Sequence, residues 1–117
     1  MSDPDSILES TKKLSGIDGN YEVFDLDVIT YINSVFLGLN QMGVGPKKIF
    51  FIEGSNETWS SFEEGNGDLR AVRSYMAQKV RLQFDTPSNA TIVQALKDSI
   101  AETEWRLLHQ VETARNL

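Results

Sequence analysis

The chain has 117 residues, with 11 lysines and arginines against 17 aspartates and glutamates, a formal net charge of −6, one histidine and no cysteine. That length fits one domain. The lack of cysteine excludes a disulfide framework and a thiolate metal site, and the acidic balance argues against a free nucleic-acid binder, whose domain normally has a pI above about 9.

Area scaling puts roughly two thirds of the unfolded surface out of water on folding, enough for a core without covalent staples. The start, MSDPDSILES, is acidic and polar, unlike a secretory signal. No apolar run approaches the about 18 residues of a membrane span. The chain is therefore expected to be soluble and intracellular at synthesis, with no membrane partner.

The first helix is predicted from about Asp5 to Leu14, with Ser2 or Asp3 as cap, Pro4 in its first turn, Lys12 and Lys13 at its C-terminal end and Gly16 closing it. Its apolar stripe is thin: Ile7, Leu8 and Leu14. Residues 16–24 read as a loop whose Ile17, Tyr21, Val23 and Phe24 cover an edge of the core. A second helix starts at DLD, capped by Asp25 or Asp27, and ends at Met42 before Gly43. Val28, Ile32, Val35, Phe36 and Leu39 form its stripe at 3.6-residue spacing. Its other face is unusual. Thr30, Asn33, Ser34, Gly38, Asn40 and Gln41 are small or polar, and no charge occurs from Val28 to Pro46. A solvated helix face normally carries Lys and Glu, so this helix is expected to be central or covered by another subunit.

IFFI, Ile49 to Ile52, is a β-type run, and the following EGSNETWSSF reads as a turn and a second short piece. The region 49–62 is thus a short β element, a small hairpin, or an irregular loop. A third helix follows EEGNGD, capped by Asp68, with Leu69, Val72, Met76, Val80 and Phe84 on one face. Arg70, Ser74, Ala77 and Arg81 fall on the other, within about 60°. Pro87 ends that segment. The last helix is predicted from Ser88 to Val111 or beyond, roughly 36 Å at 1.5 Å per residue. Ile92, Leu96, Ile100, Leu107 and Val111 form its core stripe, with Trp105 nearly opposite. A tryptophan there points to contact outside the monomer. The fold class is mainly α: a small four-helix bundle forming one domain over 1–117, with 106–117 a projecting C-terminal segment.

Charge is segregated. Residues 1–68 hold twelve carboxylates against four lysines, whereas Leu69 to Phe84 carry Arg70, Arg73, Lys79 and Arg81 and no acid. Opposite patches on one small domain suit head-to-tail contact between copies. The remaining motifs are bland. GVGPKK lacks the Lys-Ser/Thr pair of a phosphate loop, and Gly43 reads as a helix C-cap. DLD and EGNGD lack the closing glutamate of a calcium loop. Asn56-Glu57-Thr58 and Asn89-Ala90-Thr91 match the glycosylation sequon without a secretory context. His109 has no second imidazole or thiol beside it, and the pairs Glu63–Glu64 and Glu102–Glu104 read as solvated surface. No nucleophile, base and orienter can be assembled, so the reading is no enzyme, no metal and no cofactor.

The stretches VITYINSVFLGLNQMGVGP, a lone Trp59 after a short extended piece, VRSYMAQKVRLQFDTPSN and ETEWRLL resemble the head–tail connector, or adaptor, family of tailed bacteriophages, whose members are also called DNA-packaging proteins. The likeness covers about Ile7 to Leu108. Thr86 departs from it, standing where a proline is commoner, while Pro87 keeps the joint. The resemblance implies a virion protein at the head–tail interface, assembled in the host cytoplasm. It implies a ring, usually of twelve copies, under the portal protein, with double-stranded DNA passing through non-specifically and a stopper or tail-completion protein below. On that reading Arg70, Arg73, Arg81 and Trp105 meet a neighbouring subunit or the DNA channel. Arg106, Leu108, Val111, Arg115 and Leu117 dock onto the portal. The alternative is a small phage-encoded intracellular interaction or regulatory protein that forms no ring.

Overall fold

In the computed structural model the described residues are 5–17 and 24–115, with only the backbone of the last. Ser6 begins the first helix, α1 (Ile7–Ser15), by accepting the Glu9 N–H on its hydroxyl at 3.3 Å. The cap is thus Ser6; the residues expected to cap and open this helix, Ser2, Asp3 and Pro4, lie outside the described set. Gly16 ends it in the left-handed region at φ 90°, where a Cβ is disfavoured. Helix α2 (Asp25–Met42) has no side-chain cap. Asp25 and Asp27 sit inside its first turn rather than ahead of it, still well placed beside the positive helix end.

Residues 49–52 form no strand, and among the described residues the one β pairing is an isolated bridge between Ser6 and Thr58. At the end of IFFI, Ile52 gives both its backbone bonds to a side chain instead of a strand partner. Asn33 on α2 donates to the Ile52 carbonyl at 2.9 Å and accepts the Ile52 N–H at 2.8 Å. Next come a short helix the sequence pattern did not separate, α3 (Trp59–Glu63), and a 3-10 turn over Gly67–Arg70. Asn66, not Asp68, caps that turn by accepting the Asp68 N–H. Helix α4 (Ala71–Phe84) and helix α5 (Ala90–Arg115) follow, the last reaching the end of the described residues. Asn89 accepts the N–H groups of Thr91 and Ile92 at the start of α5. The described architecture is therefore mainly α, with five helices where four were expected and no strand.

Helix α4 is the hub, packing on α1, α2 and α5. Its Val72, Met76 and Val80 are buried with Ile7 and Leu8 of α1 and with Ile32, Phe36 and Leu39 of α2. One end of this core is aromatic: Phe36, Phe50, Trp59 and Phe62 lie 5.1–6.1 Å apart between ring centroids, in the tilted and edge-on geometries such rings favour. Gly45 is fitted to that cluster. It sits at φ 97°, and a Cβ there would lie 2.8 Å from the Phe62 ring.

Two ionic arrangements, each with one buried member, tie the elements together. Lys12 is wholly buried and donates to Asp25 Oδ1 at 2.6 Å, joining α1 to the start of α2. Arg73 on α4 grips Glu63 through Nε at 2.7 Å and Nη2 at 3.0 Å and lies 3.4 Å from Asp5. Glu63 is buried, which corrects the reading of Glu63–Glu64 as solvated surface.

Candidate functional site

The cationic segment divides in two when folded. Arg73 faces acids of its own chain, so the expectation that this helix has no internal partner is corrected there: the two bonds it donates to the Glu63 carboxylate raise the guanidinium's already high pKa. Bonds from the Ser60 hydroxyl and amide, with Arg73 nearby, hold the Asp5 carboxyl below its usual range. Lys79 lies over the Tyr75 ring at 5.5 Å. Arg70 is exposed. Arg81 lines a groove of about 210 Å³ with Leu14, Ser74, Ala77, Gln78 and Leu96, where α1, α4 and α5 meet. The predicted Arg70/Arg81 face therefore has one open cation and one at the lip of a shallow groove with an apolar floor.

Helix α5 is 26 residues long, about 39 Å at 1.5 Å per residue, nearly the molecule's longest dimension of 45 Å. It rests on α4 through few side chains. Ile100 and Leu107 are buried, Tyr75 donates its hydroxyl to Glu104 at 2.9 Å, and Gln78 pairs with Ser99 at 3.0 Å. Burial and the Glu104 carboxylate raise the Tyr75 pKa. Ile92, expected in the core stripe, is instead 44% exposed: the 3.6-residue pattern continues past the body it packs on. Trp105 is 65% exposed and points away from α4, with His109 stacked flat on it at 5.3 Å and 2°.

The outer face of α2 is only partly covered by its own chain. Asn33 holds residue 52, and Asn40 donates to the carbonyls of Pro46 and Lys47 at 3.3 and 3.2 Å. Beside that segment Leu26, Leu37, Ile49 and Phe51 stay open, Leu26 at 75% and Phe51 at 57%. Two apolar surfaces on different helices thus lack partners within the described monomer, which is more than scattered surface leucines require.

A model of the phage connector protein family matches residues 7–114, nearly the whole chain. The chain belongs to the phage connector protein family. The head–tail connector resemblance read from its motifs is thereby established, and the family match takes in α1 to α4 whole and α5 as far as Ala114. No curated protein and no solved structure gives a significant match.

In this connector the C-terminal segment is anchored at two points. Leu107 is buried and Val111 is half-buried, and both line a groove of about 370 Å³ with the 43–45 turn, Asn66, Asp68 and Leu69. Leu108 and Arg106 face out, Arg106 paired with Glu102 at 2.7 Å. The Arg115 side chain and Leu117 lie outside the described residues. Among the described residues no helix is long and apolar enough to cross a membrane.

Sequence reading missed Lys12 and the Trp59 cluster. Lys12 looked like a surface cation at a helix end; its one signal was Asp25, thirteen positions on and impossible to place without the fold.

Proposed function

We propose that the connector assembles into a ring beneath the portal, extends the DNA channel and offers the platform on which a stopper or tail-completion protein sits. The family match supports a connector role; the observation that carries the assembly step is the pair of unpartnered apolar faces, on α2 with 49–51 and on α5 around Trp105. An exposed tryptophan backed by a flat histidine resembles an interface anchor rather than a core residue. The role is structural, without catalysis or cofactor. Arg70 and Arg81 meet acids of a neighbouring subunit, with passing double-stranded DNA as the competing occupant. Arg106, Leu108, Val111, Arg115 and Leu117 dock the segment from 106 onward onto the portal. A weak contact repeated around a ring becomes firm attachment through effective concentration. The protein is accordingly a virion component at the head–tail interface, assembled in the host cytoplasm.

Sedimentation velocity of the purified chain, alone and mixed with portal assemblies, tests this reading. A ring-sized species, or co-sedimentation with the portal in a fixed multiple, is expected. A monomer or dimer indifferent to the portal would favour the small interaction protein instead.

A further inference from the structure

The α2 and α5 faces described above carry features that fit each other. On α2, Leu26, Thr30, Leu37 and Gln41 fall within about 60° of one another on the side away from the core. Two hydroxyls on or beside this face are satisfied locally. Thr30 donates its hydroxyl to the Leu26 carbonyl at 2.8 Å and Ser34 donates to the Tyr31 carbonyl at 2.6 Å. With no charge from Val28 to Pro46, the face presents no ion for whatever covers it to pair. It could not accept an unpaired charge without a desolvation cost of several kcal/mol.

The α5 face meets that condition. Ala101, Trp105 and Leu108 lie within about 60°, and the flanking charges Glu102 and Arg106 neutralise each other. The stack on His109 fixes the indole before any partner arrives, which lowers the cost of ordering it on binding.

The ends match as well. Lys97 and Glu112, both exposed, bound the α5 strip, 15 residues or about 22 Å apart. Asp27 flanks the α2 face at its N-terminal end. Lys47, exposed, follows the other end: its carbonyl is held 3.2 Å from the Asn40 amide, and Asn40 is 13 residues or about 20 Å from Asp27 along the helix. Laid parallel, Lys97 meets Asp27 and Glu112 meets Lys47. Laid antiparallel, like charges meet. In the parallel register Trp105 falls level with Ser34, one turn short of Gly38, where a Cβ would meet nothing within 4 Å, so the helix surface there is open to an incoming ring.

We propose that the Trp105 face of α5 seats on the uncharged outer face of α2 in a second copy of this chain, the two helices parallel and Trp105 level with Ser34, one turn short of Gly38. This rests on the ring reading and names its seam. A symmetric α2–α2 pairing would also match end charges, but it would leave Trp105 uncovered. The heterologous contact covers both faces and, repeated, generates a ring.

The chain has no cysteine, so single thiols can report the contact. Thr30→Cys and Ala101→Cys, both at exposed positions, come opposite each other in this register. Mixed and treated with a short bismaleimide, the two full-length variants should give at least about tenfold more crosslinked dimer than either alone, because thiol capture requires the two helices in contact. The double variant should give a ladder. Adding Gly38→Leu should abolish the crosslink while leaving the thermal melt no lower, since leucine is a better helix former than glycine. Each single variant crosslinking to itself as strongly as the mixture would overturn the proposal in favour of symmetric pairing. A ring in sedimentation without the mixed crosslink would place the seam elsewhere and leave the ring reading intact. No assembly at any concentration, with or without portal, would remove both.

Discussion

The two tryptophans offer a matched pair of perturbations, because the same truncation should have opposite consequences at 59 and 105. Trp59 is 1% exposed, packs edge-on to Phe62 at 5.9 Å and donates its indole N–H to Ser10 Oγ at 2.9 Å. Replacing it by alanine removes most of a buried aromatic and opens a cavity beside Phe36, a change that costs about 3–5 kcal/mol. The lost hydrogen bond adds about 1 kcal/mol. Against a total stability of about 5–15 kcal/mol, Trp59→Ala should lower the melting temperature by about 16–24 °C, taking about 4 °C per kcal/mol for a domain of this size. Trp105 is 65% exposed and stacks flat on His109. Its truncation should change stability by no more than about 0.5 kcal/mol, yet weaken assembly by at least tenfold, the least expected of an interface anchor. Circular dichroism melts and urea titrations of both variants measure the first quantity, and sedimentation at matched concentration the second. If Trp105→Ala destabilises the isolated chain by more than about 2 kcal/mol, or Trp59→Ala by less than about 1 kcal/mol, the assignment of one ring to the core and the other to a contact is wrong.

Removal of residues 110–117 takes away half-buried Val111 but leaves buried Leu107, so the truncated chain should remain folded. It should fail to join portals, giving tailless particles that leak DNA; normal attachment would move the docking surface to the 43–66 loops. A double-mutant cycle between Arg81 and the nearest acid of the neighbouring subunit should show coupling of about 0.5–3 kcal/mol. Absent coupling together with lost, steeply salt-sensitive DNA retention would favour the channel. Tyr75 has a pKa raised first by burial and then by Glu104, so its neutral form favours the folded state. Its contribution is fully present below the unfolded value near 10 and is lost as pH rises from there towards the higher folded value. Tyr75→Phe should therefore flatten the alkaline arm of the stability profile, and a wild-type profile with no decline above pH about 10 would contradict the burial of the Tyr75 hydroxyl beside Glu104.

Three of the helices were legible because local signals agreed. In α2 a stripe of Val28, Ile32, Val35, Phe36 and Leu39 runs up to Gly43, and all five are buried. In α4 Val72, Met76 and Val80 are buried as their spacing requires, and Pro87 bars continuation beyond the joint. Periodicity also predicted the outward Trp105. It misled at Ile92, since spacing reports which face of a helix is apolar but not where the neighbouring helix ends. The 49–52 run reads as a strand from its composition, yet Asn33, nineteen positions earlier, takes both backbone bonds of Ile52 that a strand partner would take. Arg73 and Glu63 are ten positions apart across a helix, a turn and a second helix, so no spacing rule brings them together. Lys12 escaped for the same reason. A cation at a helix end has a sufficient local explanation in the helix dipole, and its burial against Asp25 is a product of how α1 meets α2.

The most direct test of the central claim is a cryo-microscopy reconstruction of the phage neck from virions carrying this chain. The account predicts a closed ring of this helical domain between portal and tail, with the segment from 106 onward against the portal and the Trp105 face of each copy covered by a neighbour. A neck whose density is filled without this chain, or a single copy bound outside the portal axis with Trp105 in solvent, would contradict it.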